Sequence, residues 1–154
     1  MVKNVLNTLR KKQKNNKGFS LVELIVVIAI MAVLVGILAP QFIKYVEKSR
    51  QSTDMQSVQQ LKSTVETDIS DNEDITSVTI KIEGKKATAT ITPKSGTPTT
   101  ETANLKSSGW ETVTYTLSVP TGKWSTDATK TYNSKDPGKD MNEVFSLAST
   151  KTES

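Results

Sequence analysis

The residues best placed to do chemistry in this chain lie together in Lys17-Gly18-Phe19-Ser20-Leu21-Val22-Glu23, where a basic segment meets an apolar one. Glu23 is the only charge between Phe19 and Pro40. A carboxylate deep in a bilayer costs on the order of 3 kcal/mol even on a lenient insertion scale, so Glu23 needs a partner or a shallow position. If a peptidase cuts after Gly18, the new Phe19 ammonium stands one helical turn from Glu23. It can neutralise that carboxylate, or be neutralised by the Glu23 of an adjacent copy. Such pairing in low dielectric sets register, because a misaligned copy leaves a buried charge unmatched. The plainer reading is that Glu23 begins a helix near the headgroups, where the helix dipole favours an acid.

Elsewhere the chemistry is sparse. The chain has no histidine, which removes the commonest general base and metal ligand, and no cysteine, so an outward-facing domain must hold together by packing alone. Neither a nucleophile–base pair nor a dense metal-ligand set is visible, so the expectation is a non-enzyme with no cofactor and no metal. The net charge of +4 comes from one end: Lys3, Arg10, Lys11, Lys12, Lys14 and Lys17 precede the apolar run with no acid among them. Without those six of the 20 basic side chains, 14 remain against 16 acidic ones, and the case for nucleic-acid binding disappears.

The elements that position the junction follow from the pattern. Residues 1–18 read as a leader, and residues 19–40, FSLVELIVVIAIMAVLVGILAP, are long enough to cross the hydrocarbon core as a helix. The leader's cations keep the N-terminus cytoplasmic and send the C-terminal part across the membrane. No turn signal interrupts residues 41–71, the amphipathic half of the same helix. There Val58, Leu61, Val65 and Ile69 form one stripe, Phe42, Ile43 and Val46 form an earlier cluster, and Glu47–Asp54 is polar all round. Residues 72–154 read as an extracytoplasmic antiparallel sheet domain. Val78, Ile80 and Ile82, then Gly84-Lys85, then Ala87, Ala89 and Ile91 predict a hairpin. Glu111–Val119 predicts a strand with Val113, Tyr115, Leu117 and Val119 inward. Pro120-Thr121-Gly122 predicts a type I turn with proline at its second position, leading to a short strand at Lys123–Ser125. Trp110 and Trp124 are candidate core residues. The run from Thr92 to Ala103 and the tail from Asp127 read as loops, with a short helical turn in Asn142–Ala148. The fold class is α+β, a long N-terminal helix packed by its second half on a small antiparallel sheet.

An ordinary secretory signal fits the junction poorly: the apolar run is too long, and Ile37-Leu38-Ala39-Pro40 lacks an A-x-A cleavage pattern. A plain signal-anchor explains the topology but neither Gly18 nor Glu23. At Lys17–Ile25 the chain resembles the type IV filament family, whose prepilins carry K-G-F-[ST]-L-x-E-L-[IVL] between a basic leader and an apolar helix. The resemblance implies a pilin fold and cleavage after Gly18, whose missing side chain allows close backbone approach, by a membrane prepilin peptidase that also N-methylates Phe19. Glu23 would guide methylation and docking. The family's helix-weakening proline corresponds to Pro40, with Gly36 a second weak point, while Ala32 replaces a glycine many relatives carry. Both Gly36 and Pro40 are also ordinary residues of membrane helices. The missing cysteine pair of many Gram-negative pilins points to a Gram-positive, clostridial-like major pilin.

The function so implied is a structural subunit, held in the cytoplasmic membrane as precursor and then polymerised with copies of itself into an extracellular type IV pilus. The filament would serve adhesion, aggregation or twitching motility. Its partners would be the peptidase and methyltransferase, the pilus assembly platform and its ATPase. The alternative is a pseudopilin of a secretion or DNA-uptake machine, and a third reading is a tethered monomeric binding module. Asp71, Glu73 and Asp74, and Asp136 and Asp140 around Pro137-Gly138, read as solvated acidic loops in preference to calcium sites. The exposed Thr and Ser residues follow from β-propensity on a wet sheet face more than from glycan attachment.

Overall fold

The computed structural model describes residues 18–119, 121–128, 131–135 and 139–148. The expected leader, Met1–Lys17, therefore lies outside the described residues except for Gly18, as do Pro120 of the expected turn and Asp136-Pro137-Gly138 of the second acidic loop. Helix α1, Leu21–Asp71, is followed by five strands: β1 Ile75–Glu83, β2 Lys86–Pro93, β3 Thr99–Asn104, β4 Val113–Ser118 and β5 Lys123–Thr126. A 3₁₀ turn, Met141–Glu143, comes last. This is the expected α+β arrangement. The chain divides into two units between Gln41 and Phe42.

In the first unit α1 is apolar all round from Leu24 to Pro40, and its large apolar side chains from Leu21 to Leu38 are exposed. It is the one described helix long and apolar enough to cross a membrane. Pro40 lies inside the helix, which continues through it.

In the second unit the stripe on α1 meets the sheet as expected. Val58, Leu61 and Val65 are buried and Ile69 packs partly against the same core. Each such side chain removed from water stabilises the unit by roughly 1.5–3 kcal/mol. The sheet is wholly antiparallel in the order β3-β2-β1-β4-β5. The alternation of β1, β2 and β4 puts Val78, Ile80, Ile82, Ala87, Ala89, Val113, Tyr115 and Leu117 inside and threonines outside. Glu83 pairs with Lys86 across Gly84-Lys85, and Gly84 has a φ of +58°, as a glycine-first two-residue hairpin loop requires. Trp110 and Trp124 are buried.

Three expectations need correction. The Thr92–Ala103 run is not a loop throughout: β2 extends to Pro93, and Thr99–Asn104 pairs with β2 as the edge strand β3. An edge strand half in water needs few apolar residues, so TTETAN carries no hydrophobic signal although threonine favours strands. The turn after β4 closes one residue early, with Thr121 and Gly122 amides donating to the Ser118 carbonyl and Gly122 at a φ of +64°. The tail is also less loose than its loop-like reading. Met141, Val144 and Phe145 are buried, Phe145 stacks on Tyr115 with ring centroids 3.8 Å apart, and Trp124 meets Phe145 edge-on. The Asp140 side chain caps the 3₁₀ turn by accepting from the Asn142 amide, while Asn142 Oδ1 accepts from the Tyr115 hydroxyl at 3.0 Å. Without cysteine, these contacts fasten the tail.

Candidate functional site at the start of the helix

Gly18, Phe19, Ser20 and Glu23 come together at the N-terminus of α1. Gly18 and Ser20 are exposed, Phe19 is 91% exposed, and nothing lies within 4 Å of the place a Cβ on Gly18 would take. Among the described residues, no side chain crowds the backbone at Gly18. The helix begins at Leu21, so Ser20 is its N-cap and Glu23 its third residue. Glu23 Oε2 accepts from the Ser20 amide at 2.8 Å, the returning arm of a capping box. This satisfies an amide that the helix leaves without a partner and places the carboxylate where the dipole favours it. Glu23 thus has a local partner in the uncut chain, the plainer of the two roles its position suggests.

Gly36 and Pro40 stand one turn apart in the same helix, exposed along one side of the first unit. An α-helix bonds each amide to the carbonyl four residues earlier, and proline has no amide hydrogen. The Gly36 carbonyl therefore has no amide donor at position 40. The two weak points form one, with the missing bond and the glycine at the same carbonyl.

A second polar constellation escaped the sequence reading. Asp54 is fully buried and its carboxylate accepts from the Lys106 amide at 2.6 Å, the Ser107 amide at 2.9 Å and Trp110 Nε1 at 2.9 Å. The Ser107 hydroxyl donates to Glu47 and accepts from Asn133 Nδ2 and the Gly109 amide. Gly109 leaves no room for a side chain, since a Cβ there would stand 2.0 Å from Asn133 Oδ1. The loop between β3 and β4 is thereby bound to α1. Gln51 is also fully buried, and neither of its amide atoms has a partner among the described residues. The signal was present: stepping back from Val58 by four and then three residues gives Asp54 and Gln51. Their polarity concealed them. With three donors from the loop on its carboxylate, Asp54 ties that loop to the helix.

Residues 13–39 match the family model for the prokaryotic N-terminal methylation motif. No curated protein and no solved structure matches the chain. The match spans Gly18, Phe19, Glu23 and Gly36, and ends one residue before Pro40. It supports a precursor of the type IV pilin or pseudopilin kind, processed by a prepilin peptidase and passed to pilus-like machinery.

Proposed function

We propose that this chain, which carries the prokaryotic N-terminal methylation motif, is the prepilin of a type IV pilus: it is cut after Gly18, N-methylated on Phe19 and polymerised through α1. The observation that carries this reading is the matched motif placed at the start of a helix whose large apolar side chains, from Leu21 to Leu38, are all exposed. Lipid covers them in the precursor and other copies cover them in the filament. Apolar surface on that scale does not remain in water.

In this reading the Gly18–Phe19 bond lies at the cytoplasmic face within reach of the peptidase and methyltransferase. The Glu23 carboxylate exchanges its local amide for the Phe19 ammonium of a neighbouring copy, which fixes subunit register. The Gly36–Pro40 point gives the helix a place to open locally as the subunit leaves the membrane through the assembly platform, driven by its ATPase. The five-stranded domain faces the exterior.

The test is the N-terminus of protein sheared from the surface of the native cells, read by mass spectrometry. A chain beginning at N-methylated Phe19 and recovered from long filaments is expected. Recovery only from short, cell-bound assemblies would move the assignment to a pseudopilin. An uncut chain that stays monomeric in the membrane would overturn the proposal.

A further inference from the structure

The exposed side of α1 in the second unit is divided by charge. At one end stand Lys44 and Lys48, both exposed and in no ion pair among the described residues, while the half-exposed Arg50 is held by Glu47 at 3.7 Å. From Ser52 to Ser63 the exposed side chains, including Gln56, Gln59 and Gln60, carry no charge, and beyond them Glu66 is held by Lys62 at 3.6 Å and accepts from Trp124 Nε1. Hydroxyls along the helix donate to carbonyls of their own helix, as Thr64 does to Gln60 and Thr67 to Ser63, so they need no water. At the other end Asp68 and Asp71 are exposed, again without an ion pair among the described residues. They sit at the helix C-terminus, where the dipole disfavours acids, and no basic residue occupies the last turn.

A cleft of about 360 Å³ opens beside those acids. Asp68, Asp71 and Asn72 border it, and Ile75, Ile91 and Pro93 supply apolar wall. Carboxylates at the edge of an apolar cleft suit a lysine, whose methylene stem packs on the wall while its ammonium meets the acids.

We propose that this side of α1 is a docking surface for a second copy of the same chain, placed parallel and displaced along the helix by about 24 residues, or roughly 36 Å. This contact rests on the polymer reading above and joins a copy to a more distant neighbour than the one whose Phe19 ammonium meets Glu23. At that displacement Lys44 and Lys48 of one copy reach Asp68 and Asp71 of the next, and one lysine enters the cleft. A charged side chain in the stretch between these two ends, where the copies lie side by side, would be desolvated. The contact is head-to-tail, so each copy offers the same surface to the next and growth does not close.

The experiment is a charge exchange in the native cells, read as the yield of sheared filaments. K44E/K48E alone and D68K/D71K alone should each lower yield at least tenfold, and the four substitutions in one chain should restore most of it. D68K/D71K removes acids from the wrong end of a helix, so its thermal unfolding should not fall. As a positional readout, the cysteine-free chain carrying Lys48→Cys and Asp71→Cys should give a ladder of covalent multimers on oxidation of filaments. Unchanged yield in the paired reversals, no recovery in the fourfold variant, or filaments without a ladder would overturn the contact while leaving the polymer intact. Loss of precursor from the membrane in K44E/K48E only would assign the lysines to lipid headgroups and overturn it equally. Processed wild-type chain that forms no filament is a different result, and removes the polymer reading itself.

Discussion

The two parts of α1 use the same backbone element in opposite ways. Between Leu21 and Leu38 the large side chains are apolar and exposed, while between Gln51 and Val65 two of the five buried residues are polar. Apolarity therefore does not report burial within this chain, and in the second unit the environment that buries the helix includes a loop whose amides need an acceptor. Hydrophobic packing holds α1 to the sheet, and a carboxylate holds the β3–β4 loop to α1.

The largest expected effect breaks that loop attachment. Asp54→Ala leaves the amides of Lys106 and Ser107 and the Trp110 indole without their acceptor, and thermal unfolding of the detergent-solubilised chain should show a loss on the order of 4 kcal/mol. Equal stability of the variant and the wild type would mean the carboxylate is not what binds the loop. Next comes a paired truncation on one helix. Leu61→Ala should destabilise by about 2–4 kcal/mol, whereas Leu34→Ala, on an exposed side chain, should leave the unfolding midpoint unchanged. Similar losses at both positions would erase the distinction between the two parts.

A smaller effect has the opposite sign. Gln51→Leu removes two buried polar atoms that have no partner among the described residues and should stabilise by roughly 1–2 kcal/mol in chemical denaturation. A loss of stability would reveal a partner for Gln51. The smallest effect concerns the tail and appears only in alkali. Burial raises the Tyr115 phenol above its ordinary value near 10, and the Asp140 carboxylate raises it further. Above about pH 10 the unfolded chain loses this proton and the folded chain keeps it, so stability is full below that pH and falls as pH rises past it. Tyr115→Phe should lose the hydrogen bond to Asn142 at neutral pH and show a shallower decline above pH 10. An unchanged alkaline slope would place the titration elsewhere.

How much could be read from the residues differs from region to region. Val58, Leu61 and Val65, the Gly84 hairpin and β4 were legible because burial on one face imposes a period of 3.6 or 2 on the apolar side chains. The buried Asp54 and Gln51 lay on the same helical period but were hidden by their type, since polar residues are normally outside. β3 was hidden for the converse reason: an edge strand made of threonines has the propensity without the hydrophobic alternation. In the tail, Met141, Val144 and Phe145 are too few and too irregularly spaced to signal a core until Tyr115 and Trp124 stand opposite them.

The sequence by itself determined the junction at Gly18 and Phe19, the acid at Glu23, the membrane-length apolar helix and the strands that alternate, because these depend on residue type and spacing along a local path. Only the tertiary structure decided which polar side chains are buried, where the edge strand pairs and what fastens the tail. Those outcomes depend on partners some 20 to 60 residues away, as Asp54 does on Ser107, Trp124 on Glu66 and Tyr115 on Asn142. No local period encodes such a partner, and the free energy that selects it arises only when the chain has closed around both groups.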